Sequence, residues 1–210
     1  MLIPYSKVVE ILGSYGVAVR GILHVGAHEC EELRDYIAGG VTANRVVWVE
    51  GNEDKVALMK ARGVPNVYYG LVSDKEETVT FNITNNGQSS SILALETHKV
   101  EHPQVYVSEV RSAQTTTLKK LAETHGIDVG RLNFWNFDIQ GAELMALKGA
   151  GDLLDSAEAL YLEVNEKELY KGCALLGEMD AFLAERGFRR VEMVMLHHGW
   201  GDALYVRVKA

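Results

Sequence analysis

The stretch GILHVGAHECEELRDYIAGGVTANRVVWVEGNEDKVALMKARGVPNVYYGLV, residues 21–72, fixes the architecture. Residues 21–25 form a short apolar run that stops at Gly26. Residues 29–37 carry Leu33, Tyr36 and Ile37 at helical spacing. The β-branched and aromatic RVVWV of 45–49 reads as a strand. Residues 53–62 are helical again and end at Gly63, and VYYGLV at 67–72 is a third strand. Strands and helices that alternate across such short joints give parallel strands, right-handed crossovers and helices on both faces of a sheet. Buried parallel strands are nearly continuously apolar, and so are these three.

Outward from this core, residues 6–15 read as an amphipathic helix with Val8, Val9, Ile11 and Leu12 on one side. Residues 78–83 alternate polar and apolar like an exposed-edge strand, NNGQSSS at 85–91 is a loop, and 92–114 show no decisive period. A helix is expected at 117–124, a strand at 132–137 (LNFWNF), a helix at 142–148, a strand at 159–164 (ALYLEV) and a helix at 175–186. Residues 188–196 and 203–209 pair as final strands joined by HHGWGD at 197–202, a joint short enough to make them antiparallel. The expected fold is α/β: a Rossmann-like, seven-stranded, mostly parallel sheet with an antiparallel C-terminal hairpin and helices on both faces. It suits a methyltransferase better than a nicotinamide dehydrogenase. Residues 1–210 read as one domain, with an N-terminal helix within 1–20, or as a module of a longer protein.

The 210 residues fit one domain. With 47% hydrophobic and 24% charged residues the chain is an ordinary globular sequence. A net charge of −8 disfavours nucleic-acid binding and association with anionic lipid. No run of apolar residues is long enough to insert in a membrane, and the N-terminus lacks the pattern of a signal peptide. Two cysteines make no disulfide framework and fit a reducing, cytoplasmic setting.

Ligands of open α/β sheets bind beyond the carboxyl ends of the strands, so the residues just after each strand carry the functional reading. Gly26 permits a tight turn, followed by Ala27 and His28, and the next helix offers free N–H groups to a small anion. The three spaced glycines of a dinucleotide site are missing, which argues against an NAD-linked oxidoreductase. Glu50, followed by Gly51 and Asn52, stands where a carboxylate accepts ribose hydroxyls, although Asn52 also suits a helix cap. Val72 and Ser73 end the third strand, where an adenine ring is usual. Asp138 ends the fourth strand and can orient or deprotonate a hydroxyl, bind a divalent cation, or cap a helix. Glu163 and Asn165 project from the fifth. His24 reads as a core histidine. No histidine or cysteine spacing indicates zinc, and the serines at 89–91 lack the surroundings of a hydrolase nucleophile but suit hydrogen bonding to a ligand.

Four segments, HVGAHEC (24–30), VEGN (49–52), NNGQSSSI (85–92) and FDIQGAELMALKGA (137–150), together resemble the FkbM-type S-adenosylmethionine-dependent methyltransferases, with LYLEVNEKELYKGC (160–173) and ALYVRV (203–208) adding to the match. The resemblance implies O-methylation of a hydroxyl, often on a sugar or a natural product. It implies S-adenosylmethionine as cofactor, with a divalent metal conceivable but not expected. Gly26, Ala27 and His28 would line the methionine part. Glu50, with Gly51 and Asn52, would hold the ribose, and Val72 and Ser73 would approach the adenine. Ser90 and Gln140 would join the cofactor side. Asp138 would lie beside the transferred methyl as the first candidate base, with Glu163 second and His28 or His198 third. His24 and Cys30 depart from the wider superfamily, where an acid and a second glycine are common. The acceptor is expected to be a small molecule or glycan shaped by residues 79–111 and 197–202, with Trp200 either stacking on a sugar face or closing the hairpin. The sequence sets no oligomeric state, and a non-catalytic scaffold on the same fold is the other reading.

Overall fold

The computed structural model describes residues 1–208, so the last residue of the expected strand 203–209, Lys209, lies outside them. A central strand β1 (Ile22–Val25) pairs in parallel with β2 (Val46–Glu50) and with a later strand, Phe134–Phe137. All four β1 residues are buried. Alternate side chains enter two separate cores. Leu23, Val25, Val47, Val49, Trp135 and Phe137 form one. Ile22, Val46, Trp48 and Phe134 form the other with Val8 and Leu12 of α1 (Tyr5–Ser14), Tyr36 of α2 (Leu33–Ala38), and Val56 and Met59 of α3 (Glu53–Ala61). Helices therefore cover both faces, which is why the strands read as unbroken apolar runs. Each large side chain so buried contributes about 1.5–3 kcal/mol. The imidazole of His24 belongs to this interior: Tyr36 Oη lies 3.0 Å from its Nδ1 and accepts from Asn136 Nδ2 at 2.8 Å. Burial pushes His24 down to about 4, so the ring is neutral.

The full sheet runs β3 (Val67–Tyr69), β2, β1, β7 (Phe134–Phe137), β8 (Ala159–Asn165), β10 (Trp200–Arg207) and β9 (Phe188–Met195). The remaining strands and helices, in chain order, are β3 (Val67–Tyr69), β4 (Leu71–Val72), β5 (Thr78–Thr84), α4 (His98–Glu101), β6 (Val107–Thr116), α5 (Leu118–His125), β7 (Phe134–Phe137), α6 (Glu143–Ala150), β8 (Ala159–Asn165), α7 (Leu176–Ala184), β9 (Phe188–Met195) and β10 (Trp200–Arg207). β10 lies antiparallel between β8 and β9. The expected seven-stranded, mostly parallel sheet with an antiparallel end is the observed one. Among the described residues no helix is long and apolar enough to cross a membrane.

Three local expectations are corrected, and one unread segment is filled. The strand expected over 67–72 breaks at Gly70: β3 stays in the main sheet, while β4 pairs in parallel with β6 of a second sheet, ordered β4-β6-β5. β6 occupies the end of the segment without a readable period, and most of its side chains are exposed or half-exposed on both faces. The helix expected from residue 29 starts at Leu33, since His28 and Cys30 take φ of 43° and 56°, outside helical geometry. The final joint is residues 196–199, so Trp200, Gly201 and Asp202 sit on β10 and not in a loop.

Candidate active site

The β1 turn is built around Gly26, with φ +90°. A Cβ there would stand 2.6 Å from the carbonyl carbon of Asp138 and overlap its oxygen, so glycine is what lets the ends of β1 and β7 close together. With α2 starting only at Leu33, the expected helix N-terminus is not at this turn. A looped segment, residues 26–32, stands in its place. The backbone N–H of His28 donates to Glu50 Oε2 at 2.7 Å, and His28 Nδ1 lies 2.6 Å from Glu31 Oε1. His28 Nε2 is buried without a partner. Glu29 points away to Lys55 and Arg62, at 2.6 and 2.7 Å.

Glu50 joins two strand ends. Its Oε1 accepts from the N–H of Asn52 at 2.7 Å while its Oε2 holds His28. Burial raises its carboxyl above the ordinary range, and these N–H donors oppose that rise. Each oxygen keeps a lone pair for a further donor. Asn52 caps α3 through its side chain, accepting from Asp54 N at 3.0 Å. A cavity of about 50 Å³ opens beside Glu50, walled by Gly26, Gly51, Gly70 and Gly87 with Val72, Ser90 and Asp138. Asn52 and Ser73 line neither this cavity nor the larger one described below, and Ser73 is fully buried against Gly149 of α6. The Ser90 hydroxyl is held by its own loop, donating to Gly87 O at 2.7 Å.

At the end of β7 the residues 138–141 form a knot of polar contacts. Asp138 is exposed and its N–H donates to Val25 O at 2.9 Å. Gln140, at φ +58°, donates from Nε2 to Asp138 Oδ1 and to Glu163 Oε2, both at 2.6 Å. Tyr170 Oη donates to Gln140 Oε1. The turn is fixed from below by Glu143, whose Oε1 accepts from the N–H groups of Ile139 and Gly141 at 2.9 and 3.2 Å. Ser91 Oγ donates to Gln140 O at 2.8 Å, tying the 85–91 loop to the same turn. Burial, with Asp138 close by, holds the Glu163 carboxyl well above its ordinary range. Glu163 lies buried beneath Gln140, whereas Asp138 meets solvent.

The second cavity, about 410 Å³, lies on the other side of Asp138. Gly26, Ala27, His28, Asp138, Gln140 and Glu163 line it, together with His98, His102, Trp200 and Asp202. Gly26, His28, Gln88 and Asp138 line both cavities, so the two meet at the ends of β1 and β7. A further hollow of about 490 Å³, between α7 and β9, carries none of these strand-end residues. His198 pairs with Glu101 at 2.6 Å and lines neither of the two meeting cavities. Among the described residues no group of three or more His, Cys, Asp or Glu is arranged to hold a metal ion. Tyr170, His98 and Glu143 were not singled out from the sequence. Only Glu143 had a signal, a carboxylate five residues beyond Asp138 at the mouth of a helix.

The methyltransferase FkbM domain model matches residues 24–190, a span containing every strand-end residue above. No curated protein matches the chain. Among solved structures, magnesium protoporphyrin IX methyltransferase from Synechocystis PCC 6803, with bound SAM, is 13% identical over 97% of this chain and 77% of its own, with a TM-score of 0.48. A S-adenosylmethionine-dependent methyltransferase from Clostridium acetobutylicum is 5% identical over 97% of this chain and 90% of its own, with a TM-score of 0.49. One from Aquifex aeolicus is 13% identical over 95% and 88%, with a TM-score of 0.41. Matched over most of its length, the chain belongs to the FkbM family of S-adenosylmethionine-dependent methyltransferases.

Proposed function

We propose that this methyltransferase transfers a methyl group to a hydroxyl of a sugar or glycan, with Asp138 as the base. The observation that carries the reading is the meeting of the two cavities at Asp138. The residues present fit the cofactor. Four glycines are among the walls of the smaller cavity, and Glu50 presents spare lone pairs to vicinal hydroxyls. That cavity widens into the larger one past Gly26 and His28, where the unpartnered His28 Nε2 awaits a polar group.

When bound, S-adenosylmethionine supplies a methyl carbon already made electrophilic by its sulfonium. The chain must then hold a hydroxyl oxygen against that carbon and take its proton. Asp138 is exposed to the acceptor side and oriented by Gln140, so it would accept the proton of the acceptor hydroxyl. Glu163 fixes Gln140 from beneath. Asp138→Asn is expected to bind S-adenosylhomocysteine as the parent does and to lose roughly 10²–10⁴-fold in methyl-transfer rate. An unchanged rate removes Asp138 from the chemistry.

A further inference from the structure

We propose that the larger cavity is an ammonium subsite: the acceptor carries a protonated amine beside the hydroxyl that is methylated, as an amino sugar does. This rests on the methyl-transfer reading above and names its substrate class. Five carboxylates line the cavity, from Glu31, Glu32, Asp138, Glu163 and Asp202. Among the described residues no lysine or arginine lines it, and the cationic group on its wall is the Met1 amino group, 4.0 Å from Glu32 Oε1. Elsewhere the chain neutralises its carboxylates, as Lys55 and Arg62 do for Glu29. Here Asp202 takes only the N–H of Leu2, at 2.5 Å, and the hydroxyl of Tyr161. Asp202 also stands directly opposite Glu163 across the antiparallel β8–β10 pair, so two acids share one place on the wall. Burial holds the carboxyls of Glu32, Glu163 and Asp202 above the ordinary range.

A second feature is independent of the acids. His98 is 5% exposed, lines the cavity, and leaves its Nδ1 without a hydrogen-bond partner. Burial lowers its basicity, and its unpartnered Nδ1 is left for a ligand's polar group. Trp200 gives the wall a flat apolar face, half-exposed on β10, of the kind that packs against a sugar ring. An amine surrounded by carboxylates stays protonated. Its lone pair is then occupied, and the hydroxyl is left as the nucleophile.

The test is calorimetric titration of the full chain with glucosamine, glucose and glucuronate, each with and without S-adenosylhomocysteine. Glucosamine is expected to bind at least tenfold more tightly than glucose, and glucuronate more weakly than either. Glu32→Gln is expected to reduce the glucosamine preference several-fold, and its affinity for S-adenosylhomocysteine reports that it is folded. Equal binding of glucosamine and glucose, or preference for glucuronate, overturns the proposal on the parent protein alone, with no variant needed. Failure to bind S-adenosylhomocysteine is a different result: it removes the methyl-transfer reading, while the sugar comparison still decides whether the cavity selects an ammonium.

Discussion

Removing the hydroxyl of Tyr170 isolates the role of a residue that touches no reacting atom in the reading above. Tyr170 is buried and donates to Gln140 Oε1, and that contact fixes which way the amide faces. In the observed orientation Nε2 serves two carboxyl groups, Asp138 and Glu163, at 2.6 Å each. Turned over, the amide would set Oε1 against both. Tyr170→Phe deletes one hydrogen bond, worth about 1 kcal/mol, and leaves a buried carbonyl acceptor unmatched, which brings the total to roughly 1–3 kcal/mol. Spread between stability and the alignment of Asp138, this predicts a midpoint of thermal unfolding lower by roughly 2–8 °C. It also predicts a kcat lower by about tenfold, the equivalent of about 1.4 kcal/mol in the barrier. Affinity for S-adenosylhomocysteine stays unchanged, because Tyr170 does not line the cavity beside Glu50. The assay is transfer of labelled methyl to the acceptor, with kcat and KM resolved separately, beside thermal unfolding and calorimetry. A lowered unfolding midpoint with unaltered kcat would reduce Tyr170 to a packing residue and refute the positioning argument.

In Gly26→Ala, the new Cβ must gain about 1 Å from the Asp138 carbonyl carbon to reach normal contact and must also tolerate φ +90°. A loss of roughly 3 kcal/mol or more is expected in urea unfolding, and a loss under 1 kcal/mol would show that β1 and β7 separate freely. Glu50→Gln sets an amide N–H₂ against one of two backbone N–H groups. S-adenosylhomocysteine affinity should fall about tenfold and stability by roughly 1–3 kcal/mol, and unaltered affinity would take Glu50 out of cofactor binding. Glu143 is fully buried and its carboxyl is pushed up to about 7 from 4.5. The native state therefore keeps a proton that the unfolded chain releases. The neutral carboxyl's contribution is complete below pH 4.5 and is lost as pH rises to about 7, a loss of about 3 kcal/mol at about 1.4 kcal/mol per unit. Glu143→Gln keeps the acceptor for Ile139 and Gly141 and should flatten that slope. Identical pH profiles for the two proteins would place Glu143 in a less buried setting.

The strand-end logic worked where local pattern and tertiary demand agree. Residues 22–25, 46–49 and 134–137 are buried, so mainly apolar content marks them, and the polar residue that follows each run falls at the sheet edge. VYYGLV read as one strand because nothing local distinguishes Tyr69 from Leu71. The break at Gly70 comes from the pairing of Leu71 and Val72 with Thr115 and Thr116, more than forty residues away. The late start of α2 was hidden for a related reason: His28 and Cys30 adopt left-handed backbone that is unfavourable for them and is held by Glu50 and by the turn itself. His24 was legible as a core residue because it sits within an apolar strand. Tyr170 was not, since its meeting with Gln140 depends on a loop that returns across thirty residues of chain.

The excursion that begins at Gly70 leaves and rejoins the main framework at neighbouring points. Leu71 and Val72 lie beside Thr115 and Thr116, and Ser73 N donates to Thr116 O at 2.9 Å, so the segment's ends are stitched together before it wanders. The chain in between supplies Gln88, Ser89, His98 and His102 to the acceptor side. Lengthening or replacing such a closed loop adds only about 0.6 kcal/mol of closure entropy for each doubling of length. The fold thus behaves like a tool with an interchangeable head: natural variation, or an engineer, can exchange the part of the span around His98 and His102 to retarget the acceptor while the parallel strands and the walls of the pocket beside Glu50, Gly87 and Ser90 among them, stay as they are.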